Sequence, residues 1–167
     1  MDIYEIIKKR RSVRSYKPEP VEDEKLRRIL EAALSAPSAA NRQPVYFVVI
    51  KEEKIKHQLK NAYNAVWFYT APIIICVCSI PEKGWKRSDG KNYADIDATI
   101  AMDHLILAAT AEGLATCWVA AFKVPDVKSV LNLPQGIEPV ALTPLGYPLD
   151  HPAPTYRKPL EEFAHII

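Results

Sequence analysis

Apolar residues recur along this chain with two periods, one typical of helices and the other of strands. Isoleucine, leucine and alanine at spacings of three and four predict amphipathic helices. Asp2, with Glu5 three positions later, is the predicted N-cap of the first helix, and Pro37 ends the second. The predicted helices cover residues 2–10, 22–36, 53–63, 96–112 and 124–133. The fourth is mostly apolar around its circumference, so we expect it to be the central buried helix.

Short apolar runs between the helices predict strands. They are VYFVVI at 45–50, the β-branched run at 73–79, ATCWVAAF at 115–122, where a strand enters a turn, and PVALTPLGYP at 139–148. The polar, turn-rich segment at 81–92 is the predicted mobile loop. No internal repeat or linker divides the chain. We therefore predict one domain over residues 1–167, with helices on both faces of a sheet.

Composition and charge narrow the possible functions. Of the 167 residues, 49% are hydrophobic and 25% are charged, as in ordinary soluble globular proteins. The formal net charge of +2 argues against the broad basic field of a nucleic-acid-binding protein. The longest apolar run, residues 71–80, is too short to cross a bilayer, and the N-terminus has no apolar signal core. Three cysteines argue against a disulfide framework, so we expect a cytoplasmic protein.

Common catalytic and metal-binding signatures are missing. The sequence has no phosphate-binding P-loop, G-x-G-x-x-G, H-E-x-x-H or G-x-S-x-G motif, and its four histidines lack ligand spacing, so we expect no metal site. Cys76 and Cys78 point to one face of a predicted strand, which favours buried structural thiols. Asp95 and Asp97 flank a predicted helix start, where helix capping explains them better than a metal does.

The segment RRSVRSY, residues 10–16, concentrates positive charge that the rest of the chain lacks. Cations at a helix C-terminus are favourable and explain one or two of the arginines. Arg14 lies beyond the predicted helix end, and Ser12 adds a hydroxyl to the set. Guanidinium groups and a hydroxyl suit a phosphate, which accepts charge-assisted hydrogen bonds. Helix stabilisation and phosphate binding are both consistent with these residues alone.

Three further segments have a structural and a functional interpretation. PSAANRQP, residues 37–44, is either a surface turn or a stiff, amide-rich loop that suits the edge of a heterocycle. In CWVAAF, residues 117–122, small side chains between two aromatic ones allow backbone N–H groups to approach a flat ring. YRKPL, residues 156–160, is either a solvated tail or a second basic site.

The order of these motifs resembles the short single-domain branch of the flavin-dependent nitroreductase family. The resemblance extends from the arginine segment through SAPSAANRQP, EGLATCWVAAF and LTPLGYP to RKPLEE, over about residues 2–163. It implies an α+β fold, a three-layer α/β/α sandwich around a mixed, largely antiparallel sheet. It also implies a homodimer that binds FMN and oxidises NAD(P)H in a ping-pong reaction. Hydride would pass through flavin N5 to a nitroaromatic, a quinone or a similar acceptor.

The same resemblance assigns cofactor-binding residues. The family residues that bind the FMN phosphate and ribityl chain correspond here to Arg10, Arg11, Ser12, Arg14 and Arg157. The loop that packs on the flavin from the partner subunit matches Pro37, Ser38, Ala39 and Asn41. Asn64 takes the place of an asparagine that bonds the pyrimidine edge, and Ala120 and Ala121 match the segment whose backbone N–H faces N5. Two departures are the double alanine, where many members have glycine or glutamate, and Val45, where an aromatic residue is usual.

The resemblance names no catalytic side chain, because a bound flavin carries the chemistry while the protein binds and orients it. Two alternatives stay open at this point. One is a reductase of the same scaffold that acts on an enone, an activated alkene or a halogenated ring. The other is a flavin-binding or flavin-handling protein with little reductase turnover.

Overall fold

The structure is a computed structural model that describes residues 2–167. Its helices are α1 Ile3–Lys9, α2 Asp23–Leu34, α3 Glu53–Gln58, α4 Val66–Tyr69, α5 Ala94–Ala111, α6 Val124–Val130 and α7 Leu160–Phe163. Its strands are β1 Val45–Ile50, β2 Ile73–Ser79, β3 Ala115–Thr116 and β4 Glu138–Gly146. Single 3-10 turns cover Ala39–Asn41, Leu59–Asn61 and Pro81–Lys83. No helix within this described part is long and apolar enough to span a membrane.

The four strands form one sheet in the order β1-β2-β4-β3, and each neighbouring pair is antiparallel. A β-bulge lies between Val77 and Cys78, where β2 pairs with β4. The parallel contribution to the sheet is an isolated bridge between Ser12 and Thr116. The predicted largely antiparallel sheet is therefore confirmed.

Helices cover both faces of the sheet, as predicted. β2 is buried along its whole length, and its successive side chains point to opposite faces. Ile75 belongs to the core cluster that includes Met102 of α5 and residues of α2. Ile74 belongs to the cluster on the other face, with Phe68 of α4 and Val127 of α6. The three-layer α/β/α sandwich is confirmed, and α5 is its central buried helix.

Several element boundaries differ from the sequence prediction for local reasons. The predicted helix over 53–63 ends as α3 at Gln58 and continues as a 3-10 turn. The predicted strand over 115–122 is continuous for only two residues, because Cys117 N–H then donates to the Thr143 hydroxyl at 3.1 Å, and pairing with β4 resumes as an isolated bridge between Val119 and Leu142. α4 has the sequence VWFY, whose residues have low helix propensity. Its apolar residues show no helical spacing, so the sequence does not predict this helix.

The start of α5 corrects the interpretation of its two aspartates. The helix begins at Ala94, whose backbone N–H donates to the side-chain oxygen Oδ1 of Asn92 at 2.9 Å. Asp95 instead accepts a hydrogen bond of 2.6 Å from the Ser79 hydroxyl. Asp97 accepts one of 3.0 Å from Ala39 N–H. Neither carboxylate caps the helix, so the capping prediction is wrong.

The three cysteines are buried and unbridged. Cys76 and Cys78 share one face of β2 with their sulfurs 3.5 Å apart, and their hydrogen bond, followed by burial, raises the pKa of Cys76. Burial also raises the pKa of Cys117, although nearby Arg14 opposes the shift. The thiolate is the reactive form, so these thiols should be inert in the folded protein.

We predict that a water-soluble thiol reagent at about pH 8, near the ordinary pKa of a free thiol, labels none of the three cysteines in the native protein. After unfolding in guanidinium chloride, all three should be labelled. Mass spectrometry of both samples makes the measurement. Rapid native labelling of Cys76 or Cys78 would contradict their placement in the core.

Candidate functional site

The arginine segment follows α1 and runs beside the short edge strand β3. Val13 N–H donates to the Thr116 carbonyl at 3.0 Å, and Ser12 bridges Thr116 in parallel register. The Val13 side chain is buried, so its neighbours project outward from this anchored backbone. α1 ends with Arg10 as its C-cap. Arg14 is therefore four residues beyond the C-cap, and helix stabilisation does not explain its position.

All five residues assigned to phosphate and ribityl binding line one cavity of about 620 Å³. They are Arg10, Arg11, Ser12, Arg14 and Arg157. Residues 152–155 of the C-terminal segment form the opposite wall. Just before them in sequence, Leu149 N–H donates to the Ser15 carbonyl at 3.1 Å and joins this segment to the end of the arginine segment. The structure thus brings Arg157 to the arginine segment across more than 140 residues of sequence.

The cavity carries positive charge without an acidic counterpart. Among residues 2–167, no carboxylate forms an ion pair with any of its four arginines. Arg11 donates to the Arg10 carbonyl at 2.8 Å, and Arg157 donates to the Thr155 hydroxyl at 2.8 Å. Such neighbouring cations repel one another unless an anion lies between them. The charge and the donor set fit a phosphate monoester, which offers three acceptor oxygens.

An aromatic side chain extends this site toward the helices of the opposite layer. The Arg14 guanidinium lies over the Trp67 ring at 5.9 Å from its centroid, a cation–π contact. Trp67 belongs to α4, three residues after Asn64, which is exposed. The contact links the arginine-lined cavity to the segment that carries Asn64.

A second contact brings the alanine pair to the same region. Lys123 N–H donates to the Ala62 carbonyl at 3.1 Å, and Ala121 and Asn64 each lie two residues from this bond. Ala120 and Ala121 are both exposed. Their small side chains leave the backbone open to a flat ring. Together with the cationic cavity, this surface has the phosphate donors and the open backbone that a cofactor such as FMN would require.

The loop of residues 37–43 lies at the other end of the molecule. Its Ala39 N–H bonds Asp97 in the first turns of α5. Arg11 lines a cavity with Gly113 and Leu114, which follow the last turn of α5. The 18 residues of α5 span about 27 Å. Within one chain, Pro37, Ser38, Ala39 and Asn41 are therefore not brought together with the arginines.

Sequence reasoning missed parts of this site. Trp67 had no motif to mark it, because its contact with Arg14 depends on the fold. Residues 152–155 form a cavity wall but look like an ordinary proline-rich connection. Asp97 is adjacent to the predicted helix start at residue 96, and its actual partner, the Ala39 backbone N–H, leaves no signal in the sequence.

Comparison with known proteins agrees with these features. The model of the nitroreductase family matches residues 7–67 and 56–147. The crystal structure of a nitroreductase family protein from Clostridium difficile 630 has a TM-score of 0.90 and 39% identity, over 99% of this chain and 98% of that chain. An NADH dehydrogenase of Thermus thermophilus is 31% identical over 92% of this chain and 90% of the relative.

Two further relatives have different names. An FMN reductase (NAD(P)H) of Bacillus subtilis is 29% identical over 93% of this chain and 69% of the relative. An iodotyrosine deiodinase of Nematostella vectensis is 29% identical over 96% of this chain and 73% of the relative. The family model covers most of the described sequence, and a solved member superposes along almost the whole chain. This chain belongs to the nitroreductase family.

Proposed function

We propose that this protein is an FMN-dependent NAD(P)H oxidoreductase that reduces a nitroaromatic, a quinone or a similar acceptor. The observation that carries the proposal is the cavity in which four arginines gather without an ion-pair partner among the described carboxylates. FMN has the dianionic phosphate that such a cavity requires. The relatives named FMN reductase and NADH dehydrogenase support the flavin and the nicotinamide donor.

The residues of this chain have binding and orienting roles in the proposed reaction. Arg10, Arg11, Arg14 and Arg157 hold the phosphate, and the Ser12 hydroxyl adds a neutral donor. Bound FMN supplies reversible hydride acceptance, which no amino-acid side chain provides. The exposed backbone at 120–121 holds the ring where donor and acceptor reach it in turn. No protein nucleophile or general base is needed for this chemistry.

We further propose that two chains complete each flavin site in a homodimer. The phosphate-binding residues and the loop of residues 37–43 lie at opposite ends of α5, so one chain presents only half of the proposed site at each end. Exposed apolar side chains, which favour association, occur on α1 and in the C-terminal segment. They include Ile3, Tyr4, Ile7, Leu160, Phe163 and Ile166.

Two measurements on the purified protein test the proposed function. The absorption spectrum should show a bound flavin, and mass spectrometry of the released cofactor should identify FMN. NADH or NADPH oxidation should accelerate when a quinone or nitroarene is added, compared with oxygen alone. Bound flavin without acceleration by any acceptor would instead support the flavin-handling alternative.

Reductive dehalogenation is a second candidate function, favoured by the iodotyrosine deiodinase relative. It uses the same flavin site and differs in the acceptor. Supplying an iodophenol under anaerobic conditions, with reduced flavin, distinguishes the two reactions. Release of iodide faster than reduction of a nitroarene would favour the dehalogenase.

We expect the loop of residues 81–92 to control the choice of acceptor more than the binding of FMN. The structure gives this loop internal order that the prediction of a mobile segment did not include: Trp85 packs edge-on against Tyr93, with ring centroids 5.3 Å apart. Arg42 donates to the Gly84 carbonyl at 3.2 Å, which attaches the loop to residues 37–43. The loop therefore borders a proposed wall of the flavin site without joining the phosphate-binding cavity.

Trp85→Ala should change the ranking of quinone and nitroarene acceptors by kcat/KM and leave FMN affinity within about twofold of wild type. A steady-state series over acceptors of different size, paired with an FMN titration, makes the measurement. Loss of FMN with an unchanged ranking would place Trp85 at the cofactor instead.

A further inference from the structure

The loop of residues 37–43 holds a backbone that its sequence disfavours. Ala40, Asn41 and Gln43 have φ values of 52°, 53° and 49°. This left-handed region is unfavourable for residues that carry a Cβ atom, and none of the three is glycine. Strained backbone of this kind persists where surrounding contacts fix it, and it concentrates at functional sites.

Hydrogen bonds of two kinds hold the loop. The internal ones include Asn41 N–H to the Ser38 carbonyl at 2.9 Å and Gln43 N–H to the Ser38 hydroxyl at 3.0 Å. Of the bonds to other segments, one joins exposed Arg42 to the neighbouring loop. The other, from Ala39 N–H to Asp97 Oδ1, connects the loop to the long central helix. Asp97 is therefore the buried anchor, since its side chain is only 2% exposed.

The second carboxylate oxygen of Asp97 has an unusual environment. Asp97 Oδ2 is buried and has no hydrogen-bond partner in the described part of the chain. Asp97 borders a cavity of about 240 Å³ whose walls are mostly apolar, with Ser38 and Gln43 as its polar members. Burying an unpaired carboxylate oxygen is unfavourable, so such a group requires an explanation beyond packing. An asparagine would accept the same bond from Ala39 without burying a charge.

We propose that Asp97 is a positioning residue for the flavin site, holding residues 37–43 in the conformation that packs on the flavin ring. This assignment rests on the proposed function, in which that loop covers the cofactor of the partner subunit. A carboxylate makes a stronger, charge-assisted hydrogen bond to Ala39 N–H than a neutral amide does. The exposed outer side of the loop, at Pro37, Ala40 and Asn41, is left for the ring.

The test titrates the flavin-free dimer with FMN and with riboflavin, which share the ring and differ in the phosphate. Asp97→Ala should weaken both by the same factor, about tenfold or more, as expected for a lost hydrogen bond to a charged group. Asp97→Asn should lose less, because its amide oxygen still accepts from Ala39. The visible absorption bands of the bound flavin should shift in Asp97→Ala. Asp103→Asn, an exposed position on the same helix, is the matched control and should change nothing.

The outcomes separate this assignment from the proposed function. A wild-type protein that binds neither flavin overturns both. Wild-type binding with unchanged affinity and spectrum in Asp97→Ala overturns the assignment alone, as does a loss restricted to FMN. If Asp97→Ala does not fold, Asp97→Asn decides. An equal, smaller weakening of both flavins with a band shift supports the role, and a lowered melting temperature with wild-type flavin binding refutes it.

Discussion

Replacing Arg14 with alanine is expected to weaken FMN binding by about ten- to a hundredfold and to leave riboflavin binding nearly unchanged. A hydrogen bond to a charged group contributes roughly 1.5–3 kcal/mol, which corresponds to that range of affinity. Arg14 lies in a cavity with three other arginines, and no carboxylate of residues 2–167 forms an ion pair with it, so we expect its guanidinium to bind an anion. Riboflavin has the same ring without the phosphate, so its affinity measures any effect of the substitution on ring binding or on the fold.

The fold should survive this substitution. Arg14 is exposed, and its guanidinium group contacts the Trp67 ring through a cation–π interaction at the surface. Isothermal titration of apo wild type and Arg14→Ala with both flavins makes the measurement. Arg157→Ala should also weaken FMN binding and leave riboflavin binding nearly unchanged, because Arg157 lines the same cavity although it lies near the other end of the sequence.

Arg27→Ala is the matched control for these titrations. Arg27 is an exposed arginine on α2 that pairs with Glu31 at 2.8 Å, outside the proposed site. Its loss should leave both flavin affinities unchanged. An equal loss of FMN and riboflavin affinity in Arg14→Ala would mean that the arginine supports the ring or the fold, and the phosphate assignment would be wrong.

The sequence predicted those parts of the structure whose signals are local or carried by the family motif. β1, β2 and α5 have the periods of a strand or helix over many residues, and their boundaries agree with the prediction within two residues. The Asp2 cap is confirmed by its hydrogen bond of 3.0 Å from Glu5 N–H. The gathering of the arginines around one cavity could be inferred only from the resemblance, because no short-range pattern links residues 10–14 to Arg157.

Other features depend on tertiary contacts and left no signal in the sequence. Lys56 is fully buried, although lysine is ordinarily a surface residue. Its ammonium donates to the carbonyls of Ala71 at 2.7 Å and Pro72 at 3.1 Å and to Glu53 at 2.6 Å. Two of these partners are backbone carbonyls that follow the next helix along the chain, so no side-chain pattern in the sequence marks them. Asp97 is a similar case, because its partner Ala39 contributes only an N–H group.

Mixed dimers of two defective chains are expected to recover FMN binding, if each site is built from both subunits. One chain carries Arg14→Ala at the phosphate-binding end. The other carries Asn41→Trp, which places a large ring on the exposed side of the 37–43 loop. Each variant alone should form dimers in which both sites are damaged. In the mixed dimer, one site combines the two defects, whereas the other combines the intact arginines of one chain with the intact loop of its partner.

The prediction is that mixed dimers, isolated through two different affinity tags, hold about half the FMN of wild-type dimers, while each pure variant holds little. This follows because flavin binding is linked to association when the site spans two chains. Arg14 and the loop lie at opposite ends of an α5 about 27 Å long, so a single chain offers no alternative way to join them. Circular dichroism and melting temperatures of both variants control for misfolding. Mixed dimers with no more FMN than the two pure variants would place each flavin within one subunit, and wild-type monomers with full FMN content in sedimentation would exclude the shared site altogether.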